Sequence, residues 1–186
     1  MECSHMKVMS IINYKGGVGK TTIAANLACE FVNLGKRTLL IDLDAQCSLT
    51  FTFIKPDEWK AKYSKRHTIK YWFECVKKEK EVPSFKELIV TINNVDLICS
   101  DLALINIEAD WEMDLQPKQR KRGIRTKALN PLQKYTYIKG EIEKLGDEYD
   151  VIIIDCPPNF GFITRNAIVA SDYYIIPTKF DYLSTL

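Results

Sequence analysis

"NYKGGVGKTT", residues 13–22, crowds Gly16, Gly17 and Gly19 between two lysines, Lys15 and Lys20. The run before it, "KVMSIIN" (7–13), is short, apolar and rich in β-branched residues, the pattern of a strand. After it Ile23, Leu27, Phe31 and Leu34 recur at helical spacing, and Gly35 closes the run. The order is strand, glycine loop, helix. "RTLLIDLDA" (37–45) follows the helix stop directly, as expected for the returning strand of a right-handed parallel crossover.

The glycines permit positive φ and a close approach of backbone N–H groups, and a helix N-terminus behind them favours anions. The stretch therefore reads as a phosphate cradle. The strict pattern G-x-x-x-x-G-K-[ST] would place glycine at position 14, where this chain has Tyr14. The string fails while the physics survives. Lys20 is the lysine that reaches β- and γ-phosphates, and the Thr21 hydroxyl is the Mg²⁺ ligand of such a loop. Lys15 has no place in an ordinary loop of this kind. It is either a solvent-facing loop residue or a second cation with its own task.

Downstream, the stretch from about 51 to 93 is less regular. It reads as short helices, with an aromatic cluster at Tyr71, Trp72 and Phe73 and a capping box from Ser84 to Glu87 ahead of Leu88 and Ile89. "VDLIC" (95–99) is a candidate strand. An acidic run, "IEADWEMD" (107–114), and a basic one, "KQRKRGIRTK" (118–127), read as solvated loop or helix ends. Asn130 and Pro131 suit the first positions of a helix whose face is Leu132, Tyr135, Ile138, Ile142 and Leu145, ending at Gly146. "YDVIIIDCPP" (149–158) is apolar without alternation, a strand covered on both faces. A helix (about 162–170) and a strand, "YYIIP" (173–177), follow.

This alternation predicts one three-layer α/β domain over residues 1–186, a mainly parallel sheet flanked by helices, with ligands outside the carboxyl ends of the strands. Asp42 and Asp44 stand two apart on a strand, so both carboxylates point to one side at that end. Asp155 ends the most apolar strand. A strand-end aspartate can simply cap a helix, but three beside one phosphate loop favour a site, since unpaired buried carboxylates are costly.

The formal charge is +2, with 26 bases against 24 acids, which argues against a protein dominated by nucleic-acid electrostatics and leaves room for local patches. The run Val8 to Ile12 is too short to cross a bilayer, and "MECSH" lacks the features of an export signal, so a cytosolic protein is expected, without membrane attachment. Cys3, Cys29, Cys47, Cys75, Cys99 and Cys156 form no C-x-x-C pair, which predicts reduced, mostly buried thiols. "SHM" at 4–6 has the look of a cloning scar, making Met6 the expected natural start and residues 1–6 tag-derived or without order.

"KGGVGKTT" is the deviant Walker A motif, and the chain resembles the ParA/MinD group of ATPases, ParA-type partition proteins most of all. The same resemblance runs through "LIDLDAQ" (40–46), "LICSDLAL" (97–104), "DVIIIDCPP" (150–158), "TRNAIVASD" (164–172) and "YYIIPT" (173–178). It implies the P-loop NTPase fold and an ATP/ADP site with Mg²⁺, cradled by Lys15, Gly16, Gly17, Val18, Gly19, Lys20, Thr21 and Thr22. It also implies that Lys15 reaches across a nucleotide-sandwich homodimer to the partner's phosphates while Lys20 acts in cis, a second cation resembling an arginine finger. Asp44 would orient or activate the attacking water, Asp42 would support the magnesium shell near Thr21, and Asp155 would be the Walker B carboxylate. Asn13 and Gln46 would brace loop and switch. Pro157 and Pro158 end the strand and are either part of a switch loop or ordinary turn prolines.

The family's implied partners are a ParB-like centromere-binding protein and DNA. Lys118, Arg120, Lys121, Arg122, Arg125 and Lys127 are the residues here that suit non-specific DNA contact, which would be steeply salt-dependent. A solvated run balanced by its acidic neighbour is the competing reading. Longer relatives continue past "IIPTKFDYLSTL" with elements that contact the purine, so adenine recognition rests on analogy. A MinD-like division-site role calls for a C-terminal amphipathic helix. An energy-coupling reductase or iron–sulfur carrier calls for a partner to Cys156, and a small-molecule kinase for a lid.

Overall fold

The computed structural model describes residues 6–78, 81–115 and 131–179. In chain order the elements are β1 (Lys7–Ile11), α1 (Lys20–Asn33), β2 (Thr38–Asp42), α2 (Ser48–Phe53), α3 (Pro56–Lys62), α4 (Ile69–Lys77), α5 (Phe85–Leu88), β3 (Val90–Ile92), β4 (Val95–Ile98), α6 (Leu104–Leu115), α7 (Tyr137–Leu145), β5 (Val151–Asp155), α8 (Phe162–Ala170) and β6 (Tyr173–Ile175). The strands form one sheet in the order β3-β4-β2-β5-β1-β6. All neighbours are parallel except β3 and β4. β1 and β2 run parallel as the crossover requires, with β5 inserted between them.

The sheet is covered on both faces because its strands carry apolar residues at successive positions. In β5, Ile152 and Ile154 join a cluster with α4, α6, α7 and α8, while Val151 and Ile153 join a cluster with α1 and α2. In β2, Leu39 and Ile41 face the first cluster and Leu40 the second. That is the three-layer arrangement. Each such side chain contributes about 1.5–3 kcal/mol on burial, which is why these two strands sit at the centre.

Helix α1 meets the sheet through Ala24, Ala25 and Ala28, all buried, and Leu34 is exposed. The large residues of the expected apolar face, Ile23, Leu27 and Phe31, pack at the rim instead. Small side chains let the helix axis come close to the strands. Behind α1 the Gly35 and Lys36 N–H groups bond to the Val32 and Phe31 carbonyls, satisfying the helix end.

Three expectations are corrected. The acidic run lies inside α6, whose Ile107 and Trp111 stand one turn apart and are both buried, so helical amphipathicity outweighs the charges. The helix expected from Asn130 begins only at Tyr137, after a 3₁₀ turn at Pro131–Tyr135. The Tyr137 N–H bonds to Asn166 Oδ1 at 3.1 Å, an interaction from α8 that the local sequence does not show. Leu132 is accordingly exposed. Third, "VTINNVDLI" is a hairpin: β3 pairs antiparallel with β4, and Asn93 and Asn94 take φ of 49° and 65°. Two residues with positive φ between short strands match a type I′ turn. The capping box is present, with Ser84 N–H donating to Glu87 Oε1 at 2.9 Å. Asn130 and the basic residues from Lys118 to Lys127 lie outside the described residues, as do residues 1–5.

Of the described cysteines, Cys47, Cys75, Cys99 and Cys156 are buried, Cys29 is exposed, and all are free thiols. Among the described residues no helix is long and apolar enough to cross a membrane.

Candidate nucleotide site

The strand register brings the expected residues to one edge. Ile11 of β1 and Asp42 of β2 both pair with Asp155 of β5, so the glycine loop that follows β1 opens beside two strand-end aspartates. The loop needs its glycines where Gly17 and Gly19 have φ of 70° and 94°. A Cβ built at Gly16, Gly17 or Gly19 meets nothing within 4 Å, so these residues border open space. That space is a cavity of about 490 Å³ lined by Gly16, Gly17, Gly19, Lys20, Thr21, Thr22, Asp44, Gln46, Ser48, Thr52 and Pro158.

Helix α1 starts at Lys20 with no side-chain cap and no acid in its first turn. Its leading N–H groups are left for an anion, and its dipole favours one. Tyr14 takes no positive φ, so the missing glycine costs the backbone nothing. The tyrosine ring is 71% exposed and stacks on Phe160, with centroids 6.3 Å apart and planes 10° from parallel. That stack, which joins the loop to the segment after Pro158, has no signature in the sequence.

Lys20 is buried, and its Nζ donates to the Lys15 carbonyl at 3.4 Å. Lys15 is half-buried, and its N–H bonds to Asn13 Oδ1 at 2.8 Å. Asn13 in turn donates from Nδ2 to the Pro177 carbonyl at 2.7 Å, tying the loop to the end of β6. The bracing expected of Asn13 thus has a physical form. Gln46 is exposed, and its N–H bonds to Asp44 Oδ1 at 2.9 Å.

Thr21 Oγ1 donates to Asp155 Oδ2 at 2.7 Å. The other oxygen, Oδ1, is buried without a donor among the described residues. A hydroxyl and a carboxylate with one bare oxygen are hard donors of the kind Mg²⁺ takes, and Mg²⁺ completes its shell with water and phosphate oxygens rather than a protein cage. Among the described residues no three acidic, histidine or cysteine side chains converge to hold a metal by themselves. The donor set fits the ion. Asp42, by contrast, is fully buried and committed to its own segment: Oδ2 accepts from Thr50 N and Oγ1, and Oδ1 from Asp44 N.

Burial pushes Asp155 up to about 7, and the nearby Asp42 charge adds to the shift. Burial also pushes Asp42 up to about 7, against the pull of its donors. Three donors suit an ionised Asp42, so Asp155, with its bare oxygen, is where a proton settles. The metal-free fold therefore holds a proton up to about pH 7 that the unfolded chain releases near the ordinary carboxylate value. The folded form binds more protons in that window, so stability falls as pH rises through it. Asp150, held down to about 2 chiefly by its hydrogen bond from Arg37, titrates below the window and does not mask the effect. Melting in EDTA at pH 5 and pH 7.5 should show the lower melting temperature at pH 7.5, and saturating Mg²⁺ with nucleotide should remove the difference. Equal or reversed metal-free values would refute this reading of Asp155.

The AAA_31 family, described as an AAA domain, matches residues 6–186. The chain is 32% identical over 178 residues to the sporulation initiation inhibitor protein Soj of Bacillus subtilis, covering 95% of this chain and 59% of Soj. A plasmid partition protein from Borrelia burgdorferi superposes with TM-score 0.73 at 30% identity, covering 96% of this chain and 68% of that one. Cobyrinic acid a,c-diamide synthase from Mycobacterium smegmatis, solved with a bound ATP analog and magnesium, gives TM-score 0.72 at 27% identity, covering 96% and 62%. The chain thus spans less than two thirds of the length of Soj and of the synthase. With the family match running from the first strand past the last, this protein belongs to the ParA/MinD family of P-loop ATPases.

Proposed function

We propose that this chain is the nucleotide-binding domain of a ParA-type ATPase, an ATP-dependent dimerisation switch that hydrolyses ATP with Mg²⁺ and acts in DNA partitioning. The observation that carries the reading is the Thr21–Asp155 hydrogen bond beside a buried Lys20 at the uncapped start of α1. The N–H groups of Gly16 through Thr22 hold the phosphates, and Lys20 compensates charge on the terminal ones. Thr21 and Asp155 hold the ion, with Asp42 behind them. Bound Mg²⁺ supplies neutralisation of the phosphate oxygens. Asp44, on the cavity wall, orients the attacking water. Lys15 contributes from one subunit to the phosphates of the other, so that turnover waits for dimerisation. A ParB-like centromere-binding protein is the proposed regulator, DNA the track, and the cytosol the place of action. The partition protein and Soj support this reading, as does the nucleotide-bound synthase.

Light scattering of purified protein with ATP and Mg²⁺ tests it. The wild type should shift from monomer to dimer, and Lys15→Ala should bind a fluorescent ATP analogue within about 3-fold of wild type while staying monomeric, losing the stimulated part of turnover as a missing finger would. Dimers of Lys15→Ala indistinguishable from wild type would remove the trans role.

A further inference from the structure

Thr50 is fully buried in the first turn of α2. Its N–H and its hydroxyl both donate to Asp42 Oδ2, at 2.8 and 2.7 Å. The same hydroxyl accepts the Ser100 N–H, just beyond β4, at 2.9 Å. One side chain therefore joins the ends of two strands to the start of a helix. The residue before α2, Cys47, has φ of 56° and supplies no side-chain cap. Asp42 takes that place from across the turn, a carboxylate against the N–H groups of a helix start.

The segment closed by this latch is the one that carries the water-orienting acid. Asp44 N donates to Asp42 Oδ1 at 3.1 Å, and the Cys47 N–H returns to the Asp44 carbonyl at 2.9 Å. Asp44 and Gln46 then line the same cavity as Gly16, Gly17 and Gly19. The glycine loop itself is braced separately, through Asn13. Two walls of one cavity thus have independent supports, and Thr50 belongs only to the acid-bearing wall.

We propose that Thr50 is a positioning residue: its hydroxyl locks Asp42, and through it the Asp44–Gln46 segment, in the geometry that hydrolysis requires, without contributing to nucleotide affinity. The activity part of this inference rests on the ATPase reading above. Valine in place of Thr50 keeps the shape, removes one donor from a buried carboxylate and leaves the Ser100 N–H buried without its acceptor, a costly pair of losses. Serine keeps the hydroxyl.

The test compares wild type, Thr50→Val and Thr50→Ser by hydrogen exchange and by steady-state kinetics. In Thr50→Val without nucleotide, amides of residues 44–47 should exchange at least about 10-fold faster while those of residues 16–22 keep wild-type rates. Its kcat should fall about 10- to 100-fold, the usual effect of losing a group that orients the reacting residues, with the dissociation constant for the ATP analogue changed less than about 3-fold. Thr50→Ser should restore both readouts. Wild-type exchange at 44–47 in Thr50→Val, failure of serine to restore it, or a parallel loss of nucleotide affinity would each overturn the proposal. If Thr50→Val does not fold, Thr50→Cys, a weak S–H donor, takes its place, and unaltered exchange there overturns the proposal equally. A wild type whose turnover does not exceed that of Lys20→Ala would sink the ATPase reading alone, since the exchange comparison decides the latch by itself.

Discussion

Lys20→Ala lowers Mg²⁺-dependent ATP turnover by about 10²–10³-fold, the scale seen when one preorganised charge donor at a reacting centre is removed. The size of the effect follows from where the ammonium sits. It is buried at the first position of α1, where Nζ makes a long hydrogen bond to the Lys15 carbonyl at 3.4 Å and lies within electrostatic reach of Asp155. A buried cation on the cavity wall suits the anion that phosphates would supply, and next to low-dielectric protein its charge counts for more than it would in bulk solvent. The fold has little stake in it, so the melting temperature of nucleotide-free Lys20→Ala should stay close to that of wild type. Phosphate release and calorimetry on the same preparations check both halves. Turnover equal to wild type would refute the site, and a collapsed melting transition would show Lys20 to be structural.

Phe162→Ala destabilises the protein by about 3–5 kcal/mol, the range for deleting a buried aromatic ring. Phe162 is fully buried at the start of α8. It stacks on Trp111 of α6, with centroids 4.6 Å apart and planes 4° from parallel, and meets Phe73 of α4 edge-on at 5.8 Å. One ring thus holds three helices of the same layer, and an alanine there leaves a cavity that none of them can close alone. A domain of this size has about 5–15 kcal/mol in total, so a third or more of it is at stake. Urea unfolding should show a lower midpoint with unchanged slope, and Phe162→Leu should lose less than half as much. A midpoint within error of wild type would mean that the aromatic layer relaxes freely. The change also reaches the site, because α8 begins directly after Pro157–Gly161, where Asn159 accepts the Gly161 N–H and donates to Glu108 of α6.

The local pattern determined a good deal without help. Strand, glycine loop and helix at 7–33, the twice-covered strand ending in Asp155, and the place of Lys20 and Thr21 at the start of that helix all follow from short-range periodicity and from what glycine permits. These features are encoded within a few residues of where they act. The β3–β4 hairpin was not anticipated, since residues up to 93 were expected to form short helices, although Asn93 and Asn94 carry the turn chemistry themselves.

Tertiary structure decided what depends on residues far apart in the chain. The Asn166 bond that starts α7 at Tyr137, the Tyr14–Phe160 stack and the alanine seam under α1 involve partners whose approach no local pattern specifies. The Thr50–Asp42–Ser100 junction is the plainest case. Its members lie on two strand ends and a helix start, and a hydrogen bond is satisfied by whichever group the fold carries to within about 3 Å, so only the assembled sheet reveals which acid is bonded and which has an oxygen to spare.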